Sequence, residues 1–269
     1  MIRFAHVAHV ALAAGALVAA VPAQAADFII DTAVGKSGAA AIKTNTAYNS
    51  INYTVTSTDN KQTLNVKATA WTRGLDGNYT ASTLASWGAS GLGVLQAGET
   101  TGNNLHTIDN FNGWEFVVLQ FDKVVSLQSA VLNPFAINGN NYSDNDAFIA
   151  RAAGNYNATM TSTMLNSITN GLGYDASKQA GDFWFNSNST KYNTATQNYN
   201  LSPDKAGNVW IIGGSVNGPD NRNDSFKLNS IKVTSGVPEP TTWMTMILGF
   251  GVVGAALRRR RSATKISLA

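Results

Sequence analysis

Two uncharged apolar stretches, one near each end, set how much of this 269-residue chain is left to form a folded body. The first runs from Val7 to Val21 behind Arg3 and leads into Pro22-Ala23-Gln24-Ala25-Ala26. A short basic start, a short apolar centre and a small-x-small site read as a secretory leader, residues 1–25, cut by signal peptidase between Ala25 and Ala26. His9 and Gly15 break the apolar centre, which is too short for a span of about 20 residues. The second stretch, Trp243 to Leu257, is 15 residues without a charge. As a helix it covers about 22 Å, against a hydrocarbon core of about 30 Å. Trp243 at one interface and the stems of Arg258, Arg259, Arg260 and Arg261 at the other make up the difference. The arginines act as a stop-transfer signal, keeping residues 262–269 in the cytoplasm and the body outside. Just before the span, Val237-Pro238-Glu239-Pro240 is a stiff extended break, because proline fixes its own φ and pushes its predecessor out of the helical region.

The charge balance changes once the ends are removed. The whole chain is +3, but residues 26–235 hold 13 Lys and Arg against 15 Asp and Glu, which is 13 − 15 = −2. The excess sits in Arg3, Arg258 to Arg261 and Lys265, where it directs topology. A basic footprint for nucleic acid is therefore missing from the body.

All 29 asparagines lie in the body, with abundant Thr, Ser and Gly, and there is no cysteine. The latter excludes a disulfide framework, a thiolate zinc site and a cysteine nucleophile. The former suits short strands joined by many turns, where Asn and Gly accept positive φ. Ile51, Tyr53 and Val55 alternate with polar residues, as do Leu64, Val66, Ala68 and Ala70, so the two runs predict a hairpin. Trp114 to Phe121 predicts a central strand covered on both faces, and Val131 to Ile137 a separate one with Pro134 at an edge or bend. Gly74 to Gly102 reads as a long loop with strand fragments, and Thr161 to Thr169 as one short helix. Phe148-Ile149, Phe183-Trp184-Phe185 and Val209 to Ile212 are shorter strands. In the last strand, Phe226 and Leu228 share one parity and Ile231 and Val233 the other, which calls for a bulge near Asn229-Ser230. The expected fold is all-β: a single antiparallel β-sandwich or jelly roll over 26–235.

No catalytic set emerges from the body. Its one histidine, His106, has Asp109 three residues away, the wrong relation for a triad, and reads as a packing residue. A glycosidase needs two carboxyls facing each other across a sugar. Glu99 and Glu115 are the body's two glutamates, and no spacing pairs them. Fragments resembling phosphate loops or penicillin-binding motifs, at Gly35-Lys36-Ser37, Ser143-Asp144-Asn145 and Ser202-Pro203-Asp204-Lys205, lack their companion elements. No metal ligands are assigned and no cofactor is required. Calcium is the one ion the composition would suit, at Asp144-Asn145-Asp146 or Asp220 to Asp224, where solvated turns are the plainer reading. Trp71, Trp87, Trp114, Trp184 and Trp210 could offer sugar-stacking faces, although most should be core.

The C-terminal residues carry a resemblance. Val237-Pro238-Glu239-Pro240-Thr241-Thr242-Trp243, Met246 to Gly251 and Gly254 to Arg261 resemble the PEP-CTERM sorting signal of the proteobacterial type over 236–261, with Met244 where that family usually has Ala. The resemblance implies recognition at Pro238-Glu239-Pro240 by an exosortase, a membrane-embedded transpeptidase-like enzyme, in bacteria that make exopolysaccharide. Gly91 to Val94, His106 to Asn110, Val117 to Asp122, Asp146 to Ala150, Val209 to Gly213 and Asp224 to Leu228 are similar to a family of exosortase-dependent surface proteins. That similarity implies a location and a sandwich fold, and brings no activity. The expected function is that of an exported, non-enzymatic surface or matrix protein. It would be held briefly in the inner membrane and then released or attached outside, where it contacts polysaccharide; the alternative is a hydrolase acting on exopolysaccharide.

Overall fold

A computed structural model describes residues 25–33, 43, 45–137, 144–169, 183–186, 197–200, 206–214, 223–236, 246, 249–251, 253–254 and 258. The leader to Gln24, Pro238-Glu239-Pro240, Arg259 to Arg261, the tail 262–269, Gly35-Lys36-Ser37, Ser143, Ser202 to Lys205 and Asp220 lie outside the described residues. The chain divides into two units, Ala25–Val237 and a second one of Met1–Gln24 with Pro238–Ala269. In the latter unit Met246, Gly249 to Gly251, Val253, Gly254 and Arg258 are helical. No helix among the described residues is long and apolar enough to cross a membrane.

The body is all-β, with thirteen strands among the described residues. They are β1 (Asp27–Asp31), β2 (Thr46–Tyr48), β3 (Ile51–Thr56), β4 (Thr63–Arg73), β5 (Tyr79–Ser86), β6 (Leu92–Leu95), β7 (Ile108–Asp109), β8 (Trp114–Pro134), β9 (Ala147–Ala152), β10 (Phe183–Asn186), β11 (Gln197–Asn200), β12 (Gly207–Gly214) and β13 (Ser225–Ser235). One helix, α1 (Ser162–Ile168), is capped by the Thr161 side chain, which accepts from the Met164 N–H at 3.2 Å.

All pairings are antiparallel, and the ladders draw one continuous sheet where two separate sheets were expected. Its path returns on itself: β13 pairs β6, then β5, β4, β8 and β13 again. Closure of this barrel-like kind removes edges that a sandwich leaves open. Two glycines permit it. The β6–β13 contact is Leu92 opposite Leu228, and a side chain at Gly91 would run into the Leu228 carbonyl, one at Gly93 into the His106 carbonyl.

The long strand β8 organises the rest. Its first half lies between β4 and β12, with Val118 opposite Thr69 and Ile211; its second half lies between β13 and β11, with Ala130 opposite Ile231 and Tyr199. The two strands expected at 114–121 and 131–137 are thus one. The polar residues between them, such as exposed Asp122 and half-buried Lys123, belong to one continuous strand. Pro134 is its last residue, where a missing N–H costs no ladder bond. The bulge expected in the last strand is present: Leu228 pairs with Leu132 and Ser230 with Val131, leaving Asn229 unpaired in the ladder. Phe226, Leu228, Ile231 and Val233 consequently share the core. The passage 74–102 is more ordered than a loop, since it contains β5 and β6. Small and polar residues in Tyr79-Thr80-Ala81-Ser82-Thr83 hide that strand, whose pairing with β4 supplies what its propensity lacks.

The core has two parts. The larger lies inside the ring and takes Val117, Leu119 and Phe121 from β8, with Phe28, Ile30, Leu64, Val66, Trp210 and Phe226. The smaller takes the opposite face of the same strand, Trp114, Phe116 and Val118, and is packed by Phe148, Met160, Leu165 and Ile211. Hence Trp114 to Phe121 is buried on both faces.

Candidate functional site

Asp144, Asp146 and Asp224, drawn from the two acidic clusters seen in the sequence, meet where β9 and β13 begin. One oxygen from each lies within 4.8 Å of the others. The turn is held under the sheet: the Ser225 N–H donates to the Asp144 carbonyl at 2.8 Å and Asn145 Nδ2 to the Leu132 carbonyl at 2.9 Å. Asn110 locks the third member, donating from Nδ2 to Asp224 Oδ2 at 3.1 Å while its Oδ1 accepts from the Asp224 N–H at 3.0 Å. All three aspartates are buried, so the expected solvated turns are not what forms. Three carboxylates together in a low dielectric call for positive charge, whether protons, a basic side chain or a cation. The donors are hard oxygens, the ligand type that calcium takes, and they lie close enough together to share one cation.

A second acidic group was not legible in the sequence. Glu99, Asp109 and Glu115 are electrostatic neighbours, with the Asp109 N–H donating to Glu115 Oε2 at 3.4 Å. Burial, and then the Asp109 and Glu99 charges, push Glu115 well above the carboxylate range. Burial raises Asp109 to about 7, against the hydrogen bond it accepts from the Phe111 N–H. Residues 100–108 fold between these acids, and no periodicity announces that.

His106 and Asp109 do not face each other. Asp109 accepts from Thr107 Oγ1 at 3.1 Å, whereas His106 Nε2 lies 3.1 Å from Lys227 Nζ. Lys227 is buried, with its ammonium 3.9 Å from the Phe135 ring centre and 5.1 Å from that of Trp87. Burial lowers Lys227 to about 8; burial and then the Lys227 charge lower His106 to about 4. On an amphipathic strand Lys227 belongs to the polar parity between Phe226 and Leu228, so only the residues folded over it reveal a buried amine. The sign follows by linkage. Between about pH 8 and 10 the unfolded chain binds the Lys227 proton more tightly than the native one, so stability rises with pH. The melting temperature of the body is expected to climb across that window and to stay flat in Lys227→Met; parallel curves would refute the assignment.

The tryptophans divide. Trp114 and Trp210 are core, donating from Nε1 to the Gly214 carbonyl at 2.6 Å and the Gly207 carbonyl at 3.1 Å respectively. Trp71 and Trp87 are half-buried. Trp87 is engaged by His106, ring centres 3.8 Å apart. Trp71 borders a polar strip with exposed Asn52 and Thr54 on β3 and half-buried Asn65, Lys67 and Thr69 on β4. The Trp184 side chain lies outside the described residues.

At the body's margin, Ala26 is buried while Ala25 is exposed. Comparison with curated proteins and with solved structures returns no match. Residues 236–261 match the family model of the PEP-CTERM protein-sorting motif, a similarity that implies export and membrane-associated sorting by an exosortase.

Proposed function

We propose that this chain is an exported bacterial surface or matrix protein. In this reading signal peptidase cuts it between Ala25 and Ala26, and an apolar helix at about 243–257 followed by Arg258 to Arg261 holds it in the inner membrane. An exosortase of the proteobacterial type then processes it at Pro238-Glu239-Pro240. The observation that carries this is the match over 236–261. The body, 26–235, is a non-enzymatic β-domain that associates with extracellular polysaccharide or envelope material. The strip of amides and hydroxyls beside Trp71, with Lys67 among them, supports that association, since such groups pair with sugar hydroxyls and a half-exposed indole offers a stacking face. Calcium at Asp144, Asp146 and Asp224 would add to this reading and is not a condition of it.

An exported hydrolase acting on exopolysaccharide draws on a different observation, the gathering of Glu99, Asp109 and Glu115. It is the weaker reading, because Asp109 and Glu115 are each 1% exposed, leaving a sugar no route between them. One experiment separates the two. The purified body is expected to bind an exopolysaccharide array, in calcium or in chelator, and to leave the sugars intact. Release of sugar fragments would favour the hydrolase, and failure to bind any glycan would end the polysaccharide reading.

A further inference from the structure

The two ends of the body are joined to each other. Strand β1 pairs with β13 from Asp27 opposite Thr234 to Asp31 opposite Ser230, with Phe28 and Ile30 fully buried beneath. At the rim the bonds are densest. The Ser235 N–H donates to the Ala26 carbonyl at 2.8 Å and the Ala26 N–H to Ser235 Oγ at 3.1 Å. Thr234 Oγ1 donates to Asp27 Oδ1 at 2.6 Å, and Lys232 Nζ stands 2.8 Å from Asp27 Oδ2. Among the described residues the last backbone group so held is the Gly236 N–H, which donates to the Val124 carbonyl at 3.1 Å. Only Val237 separates Gly236 from Pro238.

Enzymes that cut or transfer a peptide commonly take it as an extended strand, whose main-chain groups on both sides of the scissile bond pair with the enzyme. Here the groups on the N-terminal side are already spoken for. We propose that Ala26 and Val124 are positioning residues for the tail reaction: they clamp Ser235 and Gly236 to the folded body, so the sorting motif begins, in sequence, two residues beyond the clamp and is cut only when this rim opens. This rests on the exosortase reading above. It makes the rate of tail removal a property of the body's rim as well as of the motif. It also ties the two processing events, because the clamp includes Ala26, the residue that leader removal exposes.

The test is pulse-chase of the full-length chain in a host with the processing enzyme, following tail removal against leader removal. Inserting Gly-Ser-Gly between Gly236 and Val237 preserves every rim bond and the motif with its preceding valine. Two backbone hydrogen bonds no longer need to break, so tail removal is expected to quicken on the order of tenfold, with the melting temperature of the purified body unchanged. Asp27→Asn with Thr234→Ala, which loosens the rim from the other side, is expected to quicken it too, with a lower melting temperature. Equal rates in the native chain and the insertion variant would overturn the clamp and leave the sorting reading standing. A native tail that is never cut at Pro238 to Pro240 would overturn both.

Discussion

Alanine at Pro238, Glu239 and Pro240 together is expected to leave the full-length chain in the membrane with its tail uncut. Proline fixes its own φ and biases its predecessor towards extended backbone, so the tripeptide disfavours helix ahead of Thr241-Thr242-Trp243. Alanine, the best helix former, lets the apolar helix grow backwards through this segment, while removal of Glu239 takes away its one charge. The span proposed at about 243–257 is unchanged by these substitutions, so loss of processing should come without loss of membrane association. Neutral residues at Arg258 to Arg261 should fail differently, letting the tail slip through so that unprocessed protein is released. The decisive arm fuses Gly236 to Ala269 onto an unrelated exported protein. Should the fusion stay whole while the native chain is processed, sorting information must lie in the body and the tail reading fails. The clamp adds a quantitative expectation: the fusion, free of the Ala26 and Val124 bonds, is cut at least as fast as the native chain.

The second large effect lies in β8. Phe121→Ala should cost the body about 3–5 kcal/mol, whereas Val124→Ala, three residues along the same strand, should cost less than about 0.5 kcal/mol. Phe121 is 0% exposed and packed with the ring's core, opposite Val66 on β4; Val124 is 53% exposed. Typical domains have about 5–15 kcal/mol in total, so the first change alone should bring the body near its unfolding threshold. Urea denaturation at fixed pH measures both. Similar midpoints for the two variants would mean that β8 does not pass through the ring as described.

Periodicity served well where one strand has one wet face. The β3–β4 hairpin and the bulge at Asn229 follow from parity, because a side-chain period of two forces a register error into view, whereas the twice-buried run from Trp114 to Phe121 was legible as an unbroken apolar stretch. The short helix was legible from the spacing of Met164, Leu165 and Ile168 and from the stop signal Asn170-Gly171. Parity was misleading where polar residues lie within a long ladder. The stretch Asp122 to Ser129 looks like a break in the sequence and is continuous strand, since from Val125 onward β13 supplies ladder partners whatever the side chains.

What the sequence alone determined are the properties carried by contiguous residues: the sorting motif over 236–261, the charge of the body and its all-β character. Each depends on local chemistry or on a period of a few residues. Only the tertiary structure decided the properties that join distant residues. These are the closure of the sheet at Leu92 and Leu228, the meeting of Asp144 and Asp146 with Asp224, the burial of Lys227 against His106, and the bond from Ser235 to Ala26 across 209 positions. Pairing partners in an antiparallel sheet are chosen by which faces must be buried together, and that is a condition on the whole chain at once.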